Sequence, residues 1–443
     1  MTAFQTHQTP VTACVVIPTR NRAALAINAI HSVLEHRDGG TTVVVSDNST
    51  DAKEVAHLAD FCRRLQDPRV RYIRPPEPLR MTLHWEWALS EATRWSQASH
   101  LVYLTDRMVF RRGDLDLILR IARRYPTKVI SYHHDRIVDF TTPVKLEQHP
   151  WSGQLLEVST RRIAYLYSQA LLPPCLPRML NCIAPRAFLD AMSERFGNVF
   201  ASISPDYNFG FRCLEVADSI IYLDKSAIIH YALDRSNGAS YSRGVPTRDH
   251  ADFVATLGDL RLNSATPIPE VQTVGNAIFH EYCTVKAETG SDRFPEINYR
   301  RYMAYLAAEI AEVEDENLRS TMAAALRARG LASSVETNMA APRPRQQLSL
   351  RQRLYRTRRD LVRHARGGLI GSVAPSPKRR VRLLPFLRSV GRRLSSIIPQ
   401  RATSDFPSVA EAIVFANRHP RRPGPSGQAQ ILQGEDLGWS GHS

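Results

Sequence analysis

The hydrophobic pattern begins with a short apolar run, CVVIP (14–18). It passes into AALAINAIHSVLEH (23–36), where Leu25, Ala29 and Val33 recur at helical spacing. That change of period predicts a buried strand followed by an amphipathic helix. The alternation then repeats. TTVVVSD (41–47) reads as a second buried strand, DAKEVAHLADFCRRL (51–65) as a helix capped by Asp51, and VRYI (70–73) as a strand. MTLHWEWALSEATRW (81–95) reads as a helix and HLVYLTD (100–106) as a strand; Gly113–Asp114 opens a helix over 115–124, and KVISYHH (128–134) follows as a strand. Strands alternating with helices of this length predict an α/β fold, a mainly parallel sheet with helices on both faces. In such sheets ligands bind beyond the carboxyl ends of the strands.

Past residue 136 the pattern is less regular. Pro173, Pro174 and Pro177 mark a loop, with a helix near 185–195, a strand at 219–223 and one or two helices over 299–328. From about 333 the composition shifts to Pro, Arg, Ser and Gln. The predicted organisation is a domain over 12–245, a helical extension over 246–332 and a basic tail over 333–443. Within the tail, PFLRSVGRRLSSII (385–398) puts Phe386, Leu387, Val390, Leu394 and Ile397 on one side of a helix, with Arg388, Arg392 and Arg393 largely on the other. The stretch 350–366 repeats the theme with Leu350, Leu354 and Leu361. A basic helix with an apolar face suits an anionic membrane surface, at about 1 kcal/mol per cation near the headgroups. A solvated tail is the alternative.

Charge looks at first like a nucleic-acid signal, at a formal net +15. Residues 343–401, however, hold 17 Lys and Arg against the single acid Asp360, which leaves the rest of the chain at about −1. The folded body is therefore nearly neutral, and aromatic residues for base stacking are almost absent from the basic stretch, so nucleic acid is a disfavoured partner. Six scattered cysteines without a CxxC pair point to reduced thiols. The N-terminus lacks the pattern of a signal peptide, and no run approaches the ~18 apolar residues of a membrane span. The expected location is cytoplasmic, with peripheral association at the inner face of the membrane.

Three strand ends carry the candidate chemistry. VVIPTRNR (15–22) and VVVSDNSTD (43–51) offer short polar side chains, arginines and the carboxylate of Asp47, which can accept from a base N–H or a ribose hydroxyl. The alternative assigns Thr19 and Asn21 to helix capping and Asp47-Asn48-Ser49 to a turn. In HLVYLTDRMVF (100–110), Asp106 can face a divalent cation that neutralises a diphosphate leaving group, or pair with Arg107 or Arg111. Asp206, after Pro205, can cap a helix, and His230 lies on an apolar strand where a core role is the alternative.

The order and spacing of these elements resemble the family-2 glycosyltransferases of the type-A fold. The family begins with a strand, Ile-Pro-Thr and an Asn or Arg; its second strand ends in Asp-Asn-x-Ser-x-Asp, from which VSDNSTD lacks one spacer. MTLHWE (81–86) matches a Met-x-x-x-x-Glu helix, although His84 stands where relatives often carry Asn, and SPDYNFGFRCLEVADSIIYLDKSAIIHYALDRSNGAS (204–240) is similar to the acceptor-side segment. The resemblance covers roughly 12–245. It implies a nucleotide-sugar donor of the UDP class, held by Pro18, Thr19, Arg20, Arg22, Asp47, Asn48, Met81, Thr105, Asp106, Arg107, Ser236 and Asn237. It also implies Asp206 as the general base, a Mn²⁺ or Mg²⁺ ion at Asp106 and His230, and a carbohydrate or lipid-linked acceptor. One departure matters: where the family carries an acidic cluster, this chain has Thr105-Asp106-Arg107. Either Asp106 and the diphosphate alone hold the metal, or Arg107 replaces part of its charge, or the protein binds nucleotide sugars without catalysis.

Overall fold

In the computed structural model, residues 11–36, 40–148, 151–235, 248–257, 260–330, 402–418 and 431–433 are described. Two compact units divide the chain, 1–340 with 404–443 and, separately, 341–403. All described residues except Ala402 and Thr403 belong to the first. The basic stretches 350–366 and 385–398 lie outside the described residues.

The predicted alternation appears as β1 (Ala13–Thr19), α1 (Ala23–Leu34), β2 (Thr41–Asp47), α2 (Ala52–Leu65), β3 (Val70–Ile73), α3 (Met81–Trp95) and β4 (His100–Tyr103). Asp51 caps α2, its carboxylate accepting from Lys53 N–H at 2.8 Å. β3-β2-β1-β4 are parallel neighbours, with Val15 opposite Val43 on one side and Val102 on the other. Both faces of β1 are buried, so the strand reads as a continuous apolar run. Cys14 and Val16 join Val44 and side chains of α3 on one face, while Ala13, Val15 and Ile17 join α1 and Leu58 of α2 on the other.

The strand expected over 100–106 stops at Tyr103. Residues 105–108 turn, with Met108 N–H donating to the Thr105 carbonyl at 3.0 Å, and β5 (Met108–Phe110) runs antiparallel to a later strand. This turn lifts Asp106 and Arg107 to the sheet's carboxyl edge. α4 (Asp114–Arg124) and β6 (Ile130–Val138) follow, and then β7 (Val144–Gln148), β8 (Leu155–Ser159) and α5 (Thr160–Ser168). β9 (Cys182–Pro185) inserts antiparallel between β4 and β6. After α6 (Arg186–Phe196) and α7 (Pro205–Val216), β10 (Ser219–His230) runs parallel to β6. The sheet is therefore parallel through its N-terminal half and mixed beyond it.

Among the described residues four α-helices follow: α8 (Arg248–Ala255), α9 (Val274–Thr289), α10 (Tyr299–Ile310) and α11 (Glu316–Ala328). The last two are the helices read over 299–328, separated by a turn at which Asp315 accepts from Leu318 N–H at 2.7 Å. Phe279, Tyr302, Leu306, Met322 and Leu326 make their common core.

The C-terminal end differs from a simple tail. β11 (Ala402–Phe406) pairs with β7, α12 (Val409–Arg418) buries Ala412 and Ala416 against Ile137, Leu146 and Ile229, and β12 (Ile431–Gln433) pairs with β8. Arg111, buried and ion-paired with Asp135, also donates to the Ala416 carbonyl. The short apolar stretch Val409–Phe415 is hard to see at the end of a Pro- and Arg-rich sequence. Among the described residues no helix is long and apolar enough to cross a membrane.

Candidate active site

The carboxyl ends of β1 and β4 mark the point where the chain, having added β2 and β3 on one side of β1, crosses to the other. A crevice opens at such a switch point. Thr19 and Asp106 meet across it: Thr19 Oγ1 donates to Asp106 Oδ2 at 2.9 Å. Arg22, at the N-terminus of α1, brings Nη1 to 3.5 Å from Asp106 Oδ1 and donates through Nη2 to the Arg235 carbonyl at 2.8 Å. Arg235 returns a bond to the Asn21 carbonyl at 3.2 Å.

The two loops read as nucleotide-binding are stitched to each other. Asn21 sits in the left-handed region (φ 55°), which Asn tolerates better than most residues. Its N–H donates to Ser49 Oγ at 2.8 Å, and its Oδ1 accepts from the N–H groups of Thr50 and Asp51 at 2.9 Å each. Asn48 clamps the next loop, donating to the Leu79 carbonyl at 2.7 Å and accepting from Leu79 N–H at 2.9 Å; Arg20 reaches the same carbonyl at 3.4 Å. Pro18 stands opposite Ser46 in the sheet, and Met81 packs at the edge of the core.

Asp47 is fully buried at 0% exposure, with Oδ1 accepting from Ser49 N–H at 2.9 Å and Oδ2 from the Tyr72 hydroxyl at 2.7 Å. The first bond is the Asx turn that the sequence left open as an alternative, so the carboxylate shapes the loop that leaves β2. His84, hydrogen-bonded to Ser46 Oγ at 2.8 Å, lies beside it; burial pushes its pKa down to about 4, so the ring is neutral at physiological pH.

Arg107 and His230 meet on the other flank. Arg107 Nη1 lies 2.9 Å from His230 Nε2 and donates to it, since a guanidinium cannot accept. Burial above all, then the charge of Arg107, holds His230 well below the usual imidazole range. The imidazole is neutral, and the cationic charge here belongs to Arg107. Thr105 Oγ1 is buried without a hydrogen-bond partner.

Asp206 lies in the first turn of α7. Its Oδ2 is 3.7 Å from Arg178 Nη1, and Arg178 donates to the Tyr207 hydroxyl at 3.0 Å. Burial raises the Asp206 pKa above the ordinary carboxylate value, while Arg178 opposes that rise. A carboxyl group that is partly exposed and more basic than usual suits a proton acceptor.

The donor set does not fit the divalent site that the sequence resemblance implied. Asp106 is engaged by Thr19 and Arg22, His230 offers its Nε2 to a guanidinium, and among the described residues no three His, Cys, Asp or Glu side chains converge. Ser236 and Asn237 lie outside the described residues. Sequence reasoning missed Arg178, Tyr72 and Glu281. The first falls in a proline-rich loop, and the other two act through long-range contacts that no local pattern announces.

The fold defines a class of scaffold: an α/β domain whose parallel strands present polar side chains at their carboxyl ends, where such sheets bind ligands. Residues 14–179 match the family model described as glycosyl transferase family 2. No curated protein matches the chain. Among solved structures, S. aureus TarS 1–349 in complex with UDP-GlcNAc is similar at 14% identity and a TM-score of 0.41, covering 74% of this chain and 90% of that one. The same fragment in complex with UDP gives 13% identity and a TM-score of 0.41, covering 74% and 92%. A longer S. aureus TarS structure gives 14% identity and a TM-score of 0.38, covering 74% of this chain and 55% of that one.

Proposed function

We propose that the protein transfers a sugar, with inversion, from a nucleoside-diphosphate donor of the UDP class to an acceptor hydroxyl on a carbohydrate or a lipid-linked carbohydrate. The observation that carries this reading is the pairing of Thr19 with Asp106, flanked by Arg22 and Arg107, at the switch point of the sheet and within the residues that match the family-2 model. In the proposed reaction the acceptor oxygen attacks the anomeric carbon and its proton passes to Asp206. The bond from that carbon to the diphosphate breaks, and the diphosphate leaves with the electron pair. Arg107 and Arg22 then supply positive charge where negative charge develops. Divalent-ion chemistry is not assigned to any residue here, because the donor set does not support it.

Asp47 tests the donor side. Replacing it with Ala strands the Tyr72 hydroxyl and the Ser49 N–H, each of which loses its partner. Affinity for UDP should fall roughly tenfold or more, for a loss of about 1.5–3 kcal/mol. Calorimetric titration checks this; an unchanged affinity in a folded Asp47→Ala protein removes Asp47 from the donor site.

We also propose that the basic stretch 343–401 brings the enzyme to an anionic membrane surface. The test leaves the chain beyond 401 in place, because β11 and β12 pair with β7 and β8. Replacing Arg388, Arg392 and Arg393 with Gln should release the protein from phosphatidylserine vesicles at low salt, with about 1 kcal/mol lost per cation. Undiminished co-sedimentation would overturn the proposal.

A further inference from the structure

Asp206 is not positioned by its own helix alone. Arg178 arrives from the loop between α5 and β9, and its backbone is tied to the centre of the sheet. Its N–H donates to Asn181 Oδ1 at 2.8 Å, its carbonyl accepts from Asn181 N–H at 2.7 Å, and Asn181 Nδ2 donates to the Tyr132 carbonyl of β6 at 3.1 Å. From that anchor the guanidinium lies 4.9 Å over the ring of Tyr207, bonds its hydroxyl and stands 3.7 Å from Asp206. The two charged side chains are 20% and 18% exposed, so solvent screens their attraction only in part.

Two further contacts fix the distance between the helix and this loop. A Cβ at Gly210, one turn along α7 from Asp206, would stand 3.0 Å from the Leu176 side chain and from the Pro177 carbonyl oxygen. The helix approaches the Arg178 loop this closely because residue 210 carries no side chain. From the opposite side, Glu281 of α9 accepts from Ser204 N–H at 2.7 Å, Ile203 N–H at 3.2 Å and Asn208 Nδ2 at 3.0 Å, pinning the first turn of α7. The charged and titratable groups around this turn include Arg178 from the loop, Tyr207 on α7 itself and Glu281 from α9, with Tyr167 of α5 acting on Arg178 and Tyr207, and Glu309 of α10 acting on Tyr207.

We propose that Arg178 is a positioning residue for the transfer: its guanidinium, stacked on Tyr207 and set beside Asp206, holds that carboxylate ionised and in place to take the acceptor proton. Burial favours the protonated acid, and Arg178 is the largest influence opposing it. The same cation also bears on His230, so one anchored side chain acts on both the base and the Arg107 flank. The proposal rests on Asp206 being the base, and its test separates the two claims.

The test is a ¹³C NMR titration of the aspartate carboxyls, with the Asp206 signal assigned by its loss in Asp206→Asn. In Arg178→Met the Asp206 midpoint should move to higher pH, and Arg178→Lys, which keeps the charge, should return it towards wild type. UDP affinity, read by calorimetry, should stay near wild type. Transfer at pH 7 should fall on the order of tenfold or more, with the deficit narrowing as pH rises. Arg178→Gln serves as a second variant with the same expected direction if Arg178→Met does not fold. An Asp206 midpoint that stays put in Met or Gln, or a deficit equal at every pH, overturns the role of Arg178. Full transfer by Asp206→Asn overturns the base reading instead, whatever the titration shows.

Discussion

Asp206→Asn is expected to lower transfer to the acceptor on the order of 10²–10⁴-fold while leaving UDP affinity nearly unchanged. Asn keeps the shape of the side chain and can still accept from the backbone at the start of α7, but it cannot take a proton from a hydroxyl. Its neighbour Arg178 then loses a counter-charge, and the contact with Tyr207 at 3.0 Å should hold the guanidinium in position. Steady-state kinetics with the donor saturating, next to calorimetric titration with UDP, separates the two effects. A variant that transfers at the wild-type rate removes Asp206 from the chemistry.

Arg107→Ala should lower kcat on the order of 10²–10³-fold, the scale set by deleting one preorganised group that stabilises developing negative charge. The side chain directly follows Asp106, and it is the charged member of the Arg107–His230 pair because the imidazole is held neutral. Its loss removes only the second-ranked influence that keeps His230 neutral; burial, the largest, and the charges of Arg178 and Arg136 remain. The fold should persist, because Tyr231 N–H bonds the Arg107 carbonyl at 3.0 Å rather than the side chain. Running the assay both with EDTA and with added Mn²⁺ separates the guanidinium's share from that of any ion carried in by the diphosphate. A rate unchanged in both conditions makes Arg107 a bystander.

The N-terminal half was legible because its strands are buried on both faces. Continuous runs such as Val43–Val45 and Cys14–Ile17 cannot be amphipathic, and helices with polar outer faces separate them. The C-terminal half was less so. β7 and β8 are five residues each, β9 is only four, and β8 and β9 pair with strands distant in sequence. α12 regains the sheet after a long polar stretch, and its burial rests on Ala412 and Ala416, which local hydropathy barely marks.

The site divides in the same way. Thr19, Asp47, Asp106 and Asp206 stood out because strand ends and a helix start are where such sheets place polar groups. Their partners did not. Tyr72 reaches Asp47 from the neighbouring strand, and Glu281 reaches α7 across 73 residues of sequence. Arg178 is one arginine among many until its loop is seen against Gly210. The Arg107–His230 pair joins residues 123 apart and turns a position read as a metal ligand into an acceptor for a guanidinium.

The central claim is that the crevice at the ends of β1 and β4 holds a nucleoside-diphosphate sugar and breaks its anomeric bond. The most direct measurement is release of UDP from a panel of UDP-sugars by the full chain, followed by chromatography, beside the Asp206→Asn and Arg107→Ala proteins. Release of UDP from one sugar well above the others, reduced in both variants, is expected. A wild-type protein that binds no UDP-sugar in the panel, or that releases UDP no faster than the two variants do, would contradict it.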